Sequence, residues 1–209
     1  MNVYFDLDGT LIDVSERFYR IYCDLIAMFN CNNKLNKGEY WQLKREKCPE
    51  EEIVRRTCTN IDIHKYHEMR MTLIESPKYL MYDRPFPYTF DVIKKLKKNH
   101  RLIIVSLRES YEKTETELGH LGMMSFFDKI LVHNEDVDEM WKIKVDLIKS
   151  DSSFDRSSSV VVGDTEADFF ASQAIGIPCF LVVSGIRTRE YLTALGPASV
   201  IDDISQLKI

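Results

Sequence analysis

Three carboxylates and a hydroxyl stand where strands of this chain should end. Asp6 follows the apolar run Val3-Tyr4-Phe5, and Asp8 comes two residues later, ahead of Gly9 and Thr10. Ser106 closes the apolar run Leu102–Val105, and Asp164 follows Val160-Val161-Val162-Gly163. The strand period of two sends Asp6 and Asp8 to one side, with Leu7 turned away, and Gly9 marks where strand geometry should break. In an open α/β sheet, ligands bind at the carboxyl ends of the strands. If these strands are parallel neighbours, the polar groups converge on one edge. Each pair of carboxylates there, at roughly 4 Å and an effective dielectric near 20, costs about 4 kcal/mol. A divalent cation removes that cost, and hard carboxylate oxygens with little histidine or thiol nearby favour magnesium.

The elements that must position these groups alternate in period. Phe18, Ile21, Tyr22, Leu25, Ile26 and Phe29 recur at helical spacing, with Ser15 as a plausible cap. A polar break at Asn30–Asn36 precedes Glu39–Lys47, and Pro49 opens a helix with Glu50–Glu52 in its first turn. One long amphipathic stretch is expected from His64 to Leu80, so residues 14–83 read as a helical insertion. Arg84-Pro85-Phe86-Pro87 is a rigid joint and a domain boundary. Beyond it, helices at 88–98, 110–121, 142–149 and 165–175 alternate with apolar strands at 102–105, 130–132, 160–162 and 179–183, followed by a helix at 187–195 and a short apolar piece, Ser199–Ile201. Gly122 and Gly176 close two of the helices. The alternation implies an α/β fold with a mostly parallel sheet and helices on both faces.

Composition narrows the class further. The chain has 209 residues, 44% apolar and 29% charged, with a net charge of −5, which is that of an ordinary soluble globular protein. A mildly acidic chain is a poor partner for nucleic acid, and no run reaches the length of a membrane span. The amino terminus runs directly into a strand without the basic start and apolar stretch of a secretory signal, so a cytoplasmic protein is expected. The five cysteines, Cys23, Cys31, Cys48, Cys58 and Cys179, form no CxxC pair and read as reduced thiols. Four of them fall between positions 23 and 58, within range of a local bridge.

Taken together, the motifs resemble those of the haloacid-dehalogenase-like phosphohydrolases. DLDGTLID at 6–13 resembles the family's first motif, DxDGT, Val105-Ser106 the second, and VVVGDTEAD at 160–168 the fourth, GDxxxD. A lysine opening the preceding helix fits the third. Lys144, followed by Leu147 and Ile148 that would pack its helix on the sheet, is preferred to Lys142, and neither carries the proline the family often has next. The match runs through the chain in the family's order. It implies a Rossmann-like core at 1–13 and 84–209 and an inserted all-α cap at 14–83, in the branch of phosphoglycolate phosphatase and β-phosphoglucomutase.

The resemblance also implies roles. Asp6 would be the nucleophile that forms an aspartyl-phosphate. Asp8 would protonate the leaving alcohol and then deprotonate the attacking water. Ser106 and Lys144 would hold the transferring phosphoryl group. Magnesium would be bound by Asp6, the Asp8 backbone carbonyl and Asp164, with Asp168 as an outer partner. The acid at position 8 argues for phosphoryl chemistry over dehalogenation. The implied activity is a magnesium-dependent phosphatase acting on a small phosphorylated metabolite. A sugar-phosphate mutase using the same core residues is the first rival, and a non-catalytic binding protein on the same fold the second.

Other residues have more ordinary readings beside the chemical one. Lys44 and Arg45 could reach substrate from the cap, against a solvated helix face, and Arg108 could reach phosphate, against a surface arginine. His64 and His67 have metal-ligand spacing on a helix but no third ligand, which points to surface or cap packing. Arg187 and Arg189 read as surface residues.

Overall fold

The computed structural model describes residues 1–31, 33–133, 139–196 and 199–209. The chain divides into two compact units, one of residues 1–13 and 84–209 and the other of 14–83.

The larger unit is built on the short apolar runs. In chain order its elements are β1 (Asn2–Phe5) and β2 (Ile12–Asp13), then, after the excursion of 14–83, β3 (Arg84–Pro85), α6 (Thr89–Leu96), β4 (Arg101–Ser106), α7 (Tyr111–His120), β5 (Lys129–Val132), α8 (Met140–Ser150), β6 (Ser159–Gly163), α9 (Glu166–Ile175), β7 (Cys179–Val182), α10 (Arg189–Ala194) and β8 (Ser199–Ile201). Six strands form one parallel sheet in the order β5-β4-β1-β6-β7-β8. Buried on both faces, its inner strands are continuous apolar runs rich in Val and Ile. Tyr4, Ile103, Val105 and Val161 join Val145 and Ile148 of α8 and Phe169, Ala171 and Ile175 of α9 in one core. Alternation sends Val3, Phe5, Leu102, Ile104, Val160 and Val162, all buried, to the opposite face. From β1 the chain winds outward through β4 to β5, then returns to β6 on the other side of β1. The topological switch therefore lies at β1, where an open sheet parts to admit a ligand.

The smaller unit holds α1 (Ser15–Met28), α2 (Lys37–Arg45), α3 (Glu50–Arg55), α4 (Ile63–Ile74) and α5 (Pro77–Leu80). Its own core gathers Ile21, Tyr22, Leu25 and Ile26 of α1 with Tyr40, Ile53, Val54, Tyr66 and Tyr79. Tyr22 and Tyr40 stack at 4.7 Å within it.

Three expectations change. Ser15 is the first residue of α1, and the cap position falls on Val14, which makes no side-chain cap. The stretch 64–80 is two helices, because Pro77 fixes Ser76 in an extended conformation (ψ 144°) and then serves as the first residue of α5. The thiols are not all reduced: Cys31 and Cys58 form a disulfide, with Cα atoms 5.6 Å apart. The fold brings the end of α1 beside the turn after α3, a proximity that their separation of 27 residues does not reveal.

Candidate active site

β1 ends at Phe5, which stands opposite Ile104 of β4 and Val162 of β6. Asp6 extends the ladder by one bond, its amide donating to the Val162 carbonyl at 2.8 Å. Ser106 and Asp164 therefore sit about one residue further along the two flanking strands. The chain then turns tightly. Gly9 adopts φ +87°, and the Leu7 carbonyl accepts from the amides of Leu11 and Ile12 at 3.0 and 3.2 Å. Asp8 belongs to this turn rather than to the strand, so the turn and not the strand period aims its carboxylate.

Lys144 rises from α8 into the carboxyl end of the sheet. Its Nζ donates to Asp6 Oδ1 at 2.6 Å and to Asp168 Oδ1 at 2.5 Å. Lys142, by contrast, is exposed and pairs with Glu139. Lys144, Asp6 and Asp168 are all buried. Burial alone would lower the Lys144 pKa, but Asp168 and Asp6 hold it raised and the ammonium charged.

Asp168 also closes a capping box. Its Oδ2 accepts from the Thr165 amide at 3.1 Å and from the Thr165 hydroxyl at 2.8 Å, fixing the first turn of α9. A Cβ on Gly163 would overlap the Asp168 carboxylate, so the glycine before Asp164 is a requirement of close approach.

Asp164, fully buried, is held between two glycines. A Cβ at either Gly9 or Gly185 would overlap its carboxylate. Its Oδ2 accepts from the Ile186 amide at 2.6 Å, and its Oδ1 from the Thr10 hydroxyl at 3.3 Å. Asp6, Asp164 and Asp168 can each present an oxygen within 4.8 Å of the others. Burial pushes the Asp6 carboxyl up to about 7 despite the pull of Lys144. Burial and the charges of Asp6 and Asp168 push Asp164 up as well. Three buried carboxylates facing one ammonium leave a deficit of positive charge. With its all-oxygen donors, this set fits a hard divalent cation.

Around this centre the structure separates the remaining candidates. Arg108, two residues after Ser106, is buried between Asp8 and Glu117. Lys44 lies on α2 in the helical unit, where its Nζ meets Glu50 at 2.6 Å, and Arg45 follows it on the same helix. His64 is almost fully exposed beside Glu68. Arg189 pairs with Asp202 at the surface. Arg187 is not the free surface residue its sequence context suggests. Its Nε and Nη2 grip the two oxygens of Glu166 at 2.8 and 3.0 Å, tying the loop that carries Ile186 to the start of α9.

Sequence reasoning misses Glu117, Gly185 and the Ile186 amide. Gly185, directly after an apolar strand, carries the one available signal, a backbone that must come close to something. An amide leaves no trace in residue types, and Glu117 resembles any other helix glutamate.

Comparison with known proteins decides the family. Residues 3–182 match the haloacid dehalogenase-like hydrolases. The chain belongs to this family. It is 27% identical to the glyceraldehyde 3-phosphate phosphatase of Methanothermobacter thermautotrophicus, over 99% of this chain and 97% of that protein. It is 26% identical to the pyrophosphatase PpaX of Bacillus mycoides, over 98% and 94% of the two chains. A haloacid dehalogenase-like family protein from Streptococcus pneumoniae shares the fold, with a TM-score of 0.79 at 17% identity, over 98% of this chain and 95% of that one. The family's fold, an α/β sheet with helices, is the one described above. Among the described residues, no helix is long and apolar enough to cross a membrane.

Proposed function

We propose that this haloacid dehalogenase-like hydrolase is a magnesium-dependent phosphatase that cleaves a small phosphomonoester through an aspartyl-phosphate on Asp6. The observation that carries the reading is the Lys144 ammonium on Asp6, with Asp164 and Asp168 gathered beside it. The two relatives named as phosphatases, matched along nearly their whole length, support the same class of reaction.

A phosphate dianion 4 Å from a lone carboxylate is opposed by about 8 kcal/mol at a dielectric near 20. Lys144 removes part of that repulsion and fixes Asp6 Oδ1. Magnesium, held by Asp6, Asp164 and the Asp8 carbonyl, supplies the remaining positive charge when bound. Asp168 acts from outside this set, by keeping Lys144 charged and in place.

In the first step an Asp6 oxygen attacks phosphorus, the bond from phosphorus to the ester oxygen breaks, and the Asp8 carboxyl gives its proton to the leaving oxygen. In the second, water attacks phosphorus and gives a proton to the Asp8 carboxylate. The bond to Asp6 then breaks and releases inorganic phosphate. Ser106 hydrogen-bonds the phosphoryl oxygens. Residues 1–13 and 84–209 are the catalytic core. The helical unit, 14–83, is the cap that selects the substrate, with Lys44 and Arg45 as its candidate contacts.

The test is phosphate release from a panel of small phosphomonoesters, with magnesium and with EDTA. Metal-dependent release is expected from at least one compound. Asp6→Asn abolishes it while the circular dichroism spectrum is retained. Release that EDTA leaves untouched, or that survives in Asp6→Asn, overturns the assignment.

A further inference from the structure

We propose that Arg108 and Glu117 are positioning residues for the proton carried by Asp8, and that Arg108 serves this role rather than binding phosphate. The inference rests on the reading of Asp8 as proton donor. Arg108 leaves the loop after β4 with its side chain buried at 3% exposure. Its Nη2 and Nε donate to Asp8 Oδ1 at 2.5 and 3.2 Å, and Nε reaches Oδ2 at 3.4 Å. Its Nη1 donates to Glu117 Oε2 on α7.

A guanidinium only donates hydrogen bonds. An Asp8 oxygen held by Arg108 cannot also carry the proton along that bond. The grip is closer on Oδ1 than on Oδ2, so the proton is directed to Oδ2. Arg108 thus chooses which oxygen of Asp8 faces the leaving group as an acid.

Glu117 explains why Arg108 stays there. Its carboxylate is buried at 6% exposure. Oε2 takes the guanidinium hydrogen bond, while Oε1 takes none among the described residues. A planar guanidinium bridging two carboxylates loses two rotational choices at once, which a lysine ammonium at the same place cannot reproduce. The loop is held as well, because the Arg108 carbonyl accepts from the His133 amide at 3.2 Å.

The experiment uses two esters of the same shape, p-nitrophenyl phosphate and phenyl phosphate, with the full chain and magnesium. The nitrophenolate leaves without a proton, whereas the phenolate needs one. Asp8→Asn serves as reference and should lose more kcat/KM on phenyl phosphate than on p-nitrophenyl phosphate. Glu117→Gln and Arg108→Lys are expected to repeat that pattern, losing about tenfold on phenyl phosphate and about twofold or less on p-nitrophenyl phosphate. Equal losses on both esters in the two variants, with Asp8→Asn still selective, overturn the proposal and return Arg108 to phosphate binding. A nonselective Asp8→Asn overturns the proton-donor reading itself.

Discussion

Asp164 shows how little room the site leaves for error at the scale of one residue. Its carboxylate is bounded by Gly9 on one side and Gly185 on the other, and takes the Ile186 amide at 2.6 Å. A group oriented so closely is one whose supporting contacts set cation affinity, typically by ten- to a hundredfold. Gly185 does not have a positive φ, so replacing it acts through the added Cβ and not through backbone strain. Gly185→Ala is therefore expected to raise the magnesium concentration for half-maximal phosphate release by about tenfold. The melting temperature without metal should fall as well, because the added Cβ forces the buried Asp164 side chain to shift. An unchanged magnesium requirement would separate Asp164 from the cation. The same residues show where sequence is informative. Asp6, Ser106 and Asp164 can be placed because each ends a run whose burial leaves only one way to pack. Glu117 and Gly185 act across long stretches of chain, and their partners become visible only once α7 and the loop after β7 have closed on the sheet.

At the scale of elements, apolar period carries most of the fold, and chemistry between elements carries the rest. The valine and isoleucine runs of β4 and β6 can only be inner strands of a parallel sheet, and Gly176 ends α9 in the left-handed conformation its position demands (φ 70°). What period does not show is the break at Ser76-Pro77 or the bridge between Cys31 and Cys58. The bridge closes a loop of 27 residues inside a unit that spans only 14–83. The chain-entropy relation gives about 3.5 kcal/mol for a loop of that length. In denaturant without reductant, three thiols, Cys23, Cys48 and Cys179, should react, and all five cysteines after reduction. Reduction should also lower the melting temperature of the helical unit by roughly 10 °C or more. Five reactive thiols in the untreated protein would mean that the bridge is absent.

At the scale of the whole molecule, each of the two compact units carries one of the two tryptophans. Trp41 meets Phe18 at 6.1 Å in the helical unit, and Trp141 packs against the core of the sheet. The helical unit also buries a charge cluster centred on Glu50. Lys44 reaches it at 2.6 Å, Arg70 at 3.9 Å, and the Tyr66 hydroxyl at 3.0 Å. Burial would raise the Glu50 pKa, but Lys44, Arg70 and the hydrogen bonds from Lys44 and Tyr66 outweigh it and hold the carboxyl below its usual range. A depressed carboxyl contributes stability that is present above its unfolded pKa, about 4.3, and is lost as pH falls through the folded value. Acid should therefore loosen the helical unit below about pH 4. Glu50→Gln keeps an acceptor for the Tyr66 hydroxyl but leaves two cations facing a neutral amide, at a cost of about 1–3 kcal/mol at pH 7. The same variant should flatten the acid dependence, since the titrating group is gone. Urea unfolding followed by fluorescence tests both points, using Trp141→Phe to report the helical unit and Trp41→Phe to report the sheet. The expected result is a lowered midpoint for Trp41 and an unchanged one for Trp141. Equal shifts at both tryptophans would show that the two cores unfold as one, and that Glu50 stabilises the whole chain rather than the unit that buries it.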